Sequence, residues 1–272
     1  ENAKLLIKQA SDGGADAIKF QSYKAEKLAS KQSPAYWDTN EEKTESQFKL
    51  FKKYDNFEFK DYEILKNHCD SHNIEFLSTP FDIDSATYLS DLMKVFKISS
   101  SDITNKPFIE FICKFNKPII LSTGAANITE IKNACEWIKK SENKIVLLHC
   151  ILNYPTENKN ANLQMIKGLK NEFPGVPIGY SDHTLPQEMQ ILEAATLLGS
   201  TFIEKHFTLN KKLPGNDHYH AMDQNDLILL NKKLDNLFLI LGDEDKRPLE
   251  SENISRENAR RSLVSNIKIC KG

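Results

Sequence analysis

Seven short apolar runs, rich in β-branched residues and each closing on polar side chains, constrain this chain more than any other feature. They are Asp16–Ser22, Ile74–Thr79, Val95–Ser100, Pro118–Thr123, Lys144–Cys150, Val176–Asp182 and Thr201–Phe207. Their hydrophobicity is continuous rather than alternating, which marks strands covered on both faces, as in parallel sheets. Helical patterns fill the gaps. Asn127-Ile-Thr-Glu130 has the spacing of a capping box, followed by a stripe of Ile128, Ile131, Cys135 and Ile138. Asp223 can cap a later helix with Leu227, Leu230, Leu234 and Phe238 on one face. Strand–helix alternation at this spacing means βαβ units with right-handed crossovers, either an open doubly wound sheet or a closed barrel.

The polar strand ends decide between the two. An open sheet gathers its ligands at one switch point, usually with a glycine-rich phosphate loop, and neither G-x-G-x-x-G nor G-x-x-x-x-G-K occurs here. A barrel distributes chemistry around a ring of strand ends, as this chain does. The expected fold is therefore a (β/α)8 TIM barrel. Seven strands are readable, and the chain opens at Glu1 into a helical stretch (Ala3, Leu6, Ile7, Ala10) ended by Gly13-Gly14, so the first strand is expected to precede Glu1. Residues 24–57 are long, polar and dotted with aromatics (Tyr36, Trp37), as a rim insertion acting as a lid or lying disordered would be. Residues 1–250 are assigned to the incomplete barrel. Residues 251–272 are assigned to a linker and the start of a further C-terminal domain.

Bulk properties narrow the partners. Of 272 residues 40% are apolar and 27% charged, which fits a globular enzyme and excludes disordered or fibrous classes. A net charge of −2 gives no long-range attraction to nucleic acid or an anionic membrane, so any anionic substrate must be held by local lysines. Five widely spaced cysteines without a C-x-x-C pair fit reduced thiols in a cytoplasm. No apolar run has the length to cross a bilayer.

Several strand ends carry candidate chemistry. Alternate strand residues share a side, so Ser181 pairs with His183 and Glu204 with His206. Two imidazoles beside a carboxylate on adjacent strands have the donor chemistry of a divalent metal site. Lys19 and Lys97 sit inside apolar strands, where an ammonium needs an anion, and Ser78, Thr79, Ser99, Ser100 and Ser122 could supply hydroxyls beside it. Snorkelling lysines and hydrogen-bonded core histidines are the structural alternatives. Cys150 reads as core, His149 and Tyr154 read equally well as core packing, and His218 and His220, in the donor- and acceptor-rich stretch Pro214–Met222, read equally well as loop surface or as functional groups.

Taken together these motifs resemble the sialic acid synthase family, with its relatives in spore-coat and surface polysaccharide pathways. The resemblance is carried by Lys19-Phe-Gln21, Phe76-Leu-Ser-Thr-Pro-Phe81, Lys97-Ile-Ser-Ser100, Lys117-Pro-Ile-Ile-Leu-Ser-Thr-Gly124, Leu148-His-Cys150 with Tyr154-Pro155, Ser181-Asp-His-Thr184, Glu204-Lys-His-Phe-Thr208 and Pro214-Gly-Asn-Asp217, in order along nearly the whole chain. It implies condensation of phosphoenolpyruvate with an open-chain N-acetyl amino sugar such as N-acetylmannosamine, or with a 6-deoxy-diacetamido sugar in a sister synthase. By the same resemblance His183 and His206 hold a divalent ion, manganese first, with magnesium or cobalt as alternatives. Lys19, Lys97, Ser100, Ser122 and Ser181, with Thr79 beside them, grip phosphoenolpyruvate. Gln21, Tyr154, Glu204 and Asp217 position the sugar, and Glu204, Lys97, Tyr154 and Asp102 are the residues expected in catalysis. The sequence departs from the family pattern at Asp102, where many members have Glu, and at Leu152, often polar. The resemblance further implies an antifreeze-like domain beyond Gly272 and a domain-swapped homodimer. A deoxyoctulosonate phosphate synthase would need another basic site, and a non-catalytic sensor barrel would not need so many convergent groups.

Overall fold

The computed structural model describes residues 1–272. All seven expected strands form, within two residues of the apolar runs at each end: β1 (Ala17–Ser22), β2 (Glu75–Pro80), β3 (Phe96–Ile98), β4 (Ile119–Ser122), β5 (Ile145–Cys150), β6 (Ile178–Asp182) and β7 (Ile203–Lys205). Every ladder is parallel. β1 pairs with β2, β2 lies against β3, and β3 to β7 pair in sequence order.

Helices cover the outside: α1 (Asn2–Asp12) before β1; α2 (Ala25–Leu28), α3 (Gln47–Tyr54) and α4 (Phe59–Ser71) between β1 and β2; then α5 (Ile83–Leu92), α6 (Lys106–Cys113), α7 (Ile128–Lys140), α8 (Gln164–Glu172) and α9 (Gln190–Leu197), one in each later crossover; and α10 (Gln224–Leu241) after β7. α7 starts on the expected capping box: Asn127 Oδ1 accepts from the Glu130 amide, and Glu130 Oε2 accepts from the Asn127 amide. Its buried stripe is Ile131, Ala134, Cys135 and Ile138. Ile128, expected on that stripe, is 42% exposed, because it opens the helix where the chain still faces solvent. Asp223 caps α10 through the Asn225 and Asp226 amides. Leu227 and Leu230 are buried on that helix, whereas Phe238 is exposed rather than part of the buried face.

Two compact units divide the chain. Residues 1–235 contain the seven strands and one continuous apolar core, and residues 236–272 make the smaller unit, with a short helix α11 (Asn253–Asn258) and exposed Arg260 and Arg261. The rim insertion in the larger unit is folded. The α2 and α3 helices lie in it, the Trp37 indole N–H donates to the Glu42 carbonyl at 3.1 Å, and Pro34 bridges Ser46.

Barrel curvature follows from a single contact. Strands stand about 4.8 Å apart in a sheet, so in a flat seven-stranded sheet the outermost two lie about 29 Å apart. Here Lys19 Nζ on β1 lies 3.9 Å from Glu204 Oε1 on β7, although no ladder joins those strands. The sheet has curled until its first and seventh strands face the same interior.

Strand register then sorts side chains. Lys19 lies opposite Leu77 and Gln21 opposite Thr79, while Lys97 is opposite Ile120, Ser122 opposite Leu148, Cys150 opposite Ser181, and Ser181 opposite Glu204. Directly opposed residues share a face, so this set points into the barrel. Its neighbours of opposite parity (Phe76, Phe96, Ile98, Ile119, Leu121, Leu147 and Ile178) are buried beneath the helices.

Candidate active site

The half of the site that carries lysines and hydroxyls is built on β1 to β4. Lys97 is 4% exposed, and its ammonium donates to Ser122 Oγ at 2.7 Å and to the Ile98 carbonyl at 3.2 Å. Lys19 Nζ donates to Thr79 Oγ1 at 3.2 Å. Both ammonium groups face one carboxylate: Glu204 Oε2 lies 3.7 Å from Lys97 and Oε1 3.9 Å from Lys19, while Ser181 Oγ donates to Oε1 at 3.2 Å. Burial lowers the Lys97 pKa, with Glu204 working against that fall. Burial raises that of Glu204, but Lys97 and Lys19 outweigh it and bring the carboxyl down to about 2. Neither lysine snorkels away from the interior.

Ser100 joins this wall through the loop after β4. Its Oγ accepts from the Gly124 amide at 2.9 Å, and a Cβ at Gly124 would meet Ser100 Oγ at 2.9 Å and Cys150 Sγ at 3.1 Å. The β4 loop therefore approaches so closely that a side chain at position 124 would have to displace Ser100. Gln21, on the inward parity of β1, is exposed at the mouth.

The second half is a cluster of imidazoles. His183 and His206 rings lie 5.2 Å apart, and Tyr154 stacks obliquely over them at 4.2 Å and 5.8 Å. The His183 Nδ1 lies 2.9 Å from the Ile151 carbonyl, which fixes a proton there and leaves Nε2 with its lone pair. A ring held in this way is characteristic of metal-ligating histidine. Burial lowers the His183 pKa against that hydrogen bond, and brings His206 to about 3 against the pull of Asp217, so both rings are neutral donors near neutral pH. Burial raises the Tyr154 pKa, keeping its phenol protonated. The donor set thus suits a divalent cation.

Two sequence-derived residues lie differently from the rest. Asp102 sits in a 3-10 turn and accepts from Asn105 Nδ2 at 3.1 Å, and none of the cluster's polar atoms is hydrogen-bonded to it. Asp217 stands at the imidazoles, 3.8 Å from His206 Nδ1 and 3.6 Å from His220 Nε2. His220, which the sequence left open between loop surface and a functional role, is fully buried. Its position follows from the chain's return along β7: the Met222 amide donates to the His206 carbonyl at 2.8 Å and the Thr208 amide to the Met222 carbonyl at 2.9 Å. His218 keeps a structural role, bonded to Thr208 Oγ1 at 2.7 Å. His149 points away from the interior, bonded to the Ala161 carbonyl at 2.8 Å and stacked on Tyr180.

A ring of strand ends carrying an ammonium–hydroxyl cradle beside clustered imidazoles defines a barrel enzyme that acts on an anionic substrate. The chain belongs to the NeuB family, whose model it matches over residues 6–246. It is 40% identical to the N,N'-diacetyllegionaminic acid synthase of Campylobacter jejuni, over 99% of this chain and 81% of that protein. The protein of the same name from Legionella pneumophila is 36% identical, over 99% of this chain and 77% of the relative. Among solved structures, the N-acetylneuraminic acid synthetase of Leptospira borgpetersenii, in complex with citrate, superposes with a TM-score of 0.82 at 32% identity, covering 94% of this chain and 84% of that one. The protein is accordingly an enzyme of the sialic- and nonulosonic-acid synthase type, which condenses phosphoenolpyruvate with a sugar.

Proposed function

We propose that this enzyme joins phosphoenolpyruvate to the open-chain form of a 6-deoxy-diacetamido amino sugar, in a reaction that depends on a divalent ion, manganese foremost. The observation that carries the reading is the meeting of two ammonium groups, a hydroxyl-lined wall and paired imidazoles at one barrel mouth. The similarity to two proteins named N,N'-diacetyllegionaminic acid synthase supports the choice of sugar. Leu152 supports it too: this 42% exposed apolar side chain, beside Gly124, offers a contact that a deoxy carbon accepts more readily than a hydroxyl does.

In this reading Lys97 with Ser122, Lys19 with Thr79, and Ser100 and Ser181 bind the phosphate and carboxylate of phosphoenolpyruvate. They hold its carbon 3 towards the sugar aldehyde. His183 and His206 would hold the ion, which supplies polarisation of the sugar's carbonyl oxygen. Glu204, ionised between the two lysines, orients a sugar hydroxyl and can accept a proton at Oε1 or Oε2. Tyr154 stays protonated and can donate a hydrogen bond to a sugar oxygen, while Gln21 and Asp217 border the sugar from the rim. Water adds at carbon 2, and phosphate departs by carbon–oxygen cleavage, with positive charge waiting where the phosphate charge collects.

The test is phosphate release from phosphoenolpyruvate with manganese, without sugar, with the diacetamido sugar, and with N-acetylmannosamine. Release that needs both metal and the diacetamido sugar, and is lost in His183→Ala, is the expected result. A preference for N-acetylmannosamine would overturn the sugar assignment, and release without any sugar would overturn the condensation.

A further inference from the structure

We infer that His220 is a third imidazole ligand of the divalent ion, so that this chain would hold its metal with His183, His206, Asp217 and His220. The inference rests on the metal-dependent reading above and adds to its two strand-borne histidines the imidazole of His220 and the carboxylate of Asp217, which also borders the sugar.

The first observation is an unpaired ring. His220 has no exposed surface, and neither Nδ1 nor Nε2 has a hydrogen-bond partner. A neutral imidazole carries one donor and one acceptor, and buried polar atoms are nearly always satisfied. The nearest carboxylate oxygen, Asp217 Oδ1, stands at 3.6 Å from Nε2, beyond hydrogen-bonding range. The other buried histidines of this barrel are anchored: His149 by Ala161, His183 by Ile151. His220 is left with a lone pair facing the one place where other donors converge.

That convergence is the second observation. Ligand atoms of His206, Asp217 and His220 all lie within 4.8 Å of one another, and the His206 and His220 rings are 5.0 Å apart. The same Tyr154 ring that covers His183 and His206 lies 6.0 Å from His220, so the three imidazoles surround a common space. The backbone fixes this arrangement. The parallel bridge between Phe207 and Met222 docks the returning segment alongside the end of β7, and Gly215, at φ +120, makes the turn that starts the return. Two imidazoles and one carboxylate on two adjoining segments, with the His183 ring 5.2 Å from that of His206, form a nitrogen-rich set that favours a transition-metal ion over magnesium.

The chain makes two countable predictions, read by Mn2+ binding and not by turnover. Pulsed electron paramagnetic resonance of the purified wild-type protein with Mn2+ should detect three coordinated imidazole nitrogens. Titration of free Mn2+ should show His220→Phe binding about tenfold or more weakly, with two imidazoles remaining. The control His218→Phe, which changes a ring bonded to Thr208, should leave the affinity within about twofold. Two imidazoles in the wild type would overturn the assignment without any variant, even if His220→Phe does not fold. A folded His220→Phe with unchanged affinity would overturn it as well. A wild type that binds no Mn2+ would remove the metal-dependent reading itself, an outcome distinct from a site of two imidazoles.

Discussion

Lys205→Met should lower the unfolding free energy by about 3–5 kcal/mol, the usual loss when one partner of a buried ion pair is removed. Lys205 lies on the outward parity of β7, opposite Asp182 of β6, and both side chains are 1% exposed. Its ammonium donates to Asp182 Oδ2 at 2.6 Å and to the Thr184 carbonyl at 2.6 Å. Asp182 Oδ1 accepts from the Tyr180 hydroxyl and the Thr184 amide, both at 2.9 Å, and Oδ2 from the Thr184 hydroxyl at 3.1 Å. Methionine keeps most of the aliphatic packing, so the loss is that of a carboxylate left without its cation where water does not reach. With a urea slope of about 3 kcal/mol per molar for a chain of this size, the midpoint should fall by about 1–1.7 M. Circular dichroism and tryptophan fluorescence would follow the transition. The double variant Asp182→Leu/Lys205→Met removes both charges and should recover to within about 1–2 kcal/mol of wild type. A single-variant shift below about 0.3 M, or a double variant no better than Lys205→Met, would refute the reasoning.

Three further outcomes follow from the same structure. Glu204→Gln takes the counter-ion from Lys97 and Lys19 and should cost about 2 kcal/mol, or about 4–8 °C in Tm, with inorganic phosphate restoring more of that loss than it adds to wild type. Because the folded pKa of Glu204 is depressed to about 2, its contribution is complete above the ordinary value of 4.5 and is lost as pH falls from there through about 2; the variant should lack that part of the acid limb in a pH series of Tm. Gly179→Ala on β6 would place a Cβ 2.6 Å from Phe202 Cβ and 2.7 Å from the Phe202 carbonyl oxygen, so the neighbouring backbone must move, at about 1–3 kcal/mol in urea unfolding; an unchanged midpoint would contradict so close an approach. Cys69, Cys113, Cys135 and Cys150 are buried with raised thiol pKa values, about 12 for Cys69 and about 11 for Cys135, so a disulfide reagent should titrate Cys270 alone in the native protein and all five thiols in urea.

Much of this was legible in the residues. Strands covered on both faces announce themselves as unbroken apolar runs, and their alternation with capped helices leaves few topologies, which is why β1 to β7 form where the runs lie. Side-chain parity also brought Ser181, His183, Glu204 and His206 to one side without knowledge of pairing. Three features needed the third dimension. Asp182 and Lys205 look like ordinary polar strand ends until the β6–β7 register sets them face to face. Asp102 stands only four residues after Ile98, yet a 3-10 turn directs its carboxylate to Asn105. His220 lies in a segment with no period at all, and its burial comes from backbone hydrogen bonds to β7 rather than from any pattern around it. The run Asp217-His-Tyr-His220 was the available signal: titratable groups packed that closely seldom serve only as surface.

The carboxylate between the two lysines also bears on how the enzyme comes into being. Two ammonium groups turned to one interior repel each other, and Glu204, 3.7 Å from Lys97 and 3.9 Å from Lys19, offsets that repulsion. Glu204 stands in for the absent substrate, so the barrel can close around its own site during synthesis.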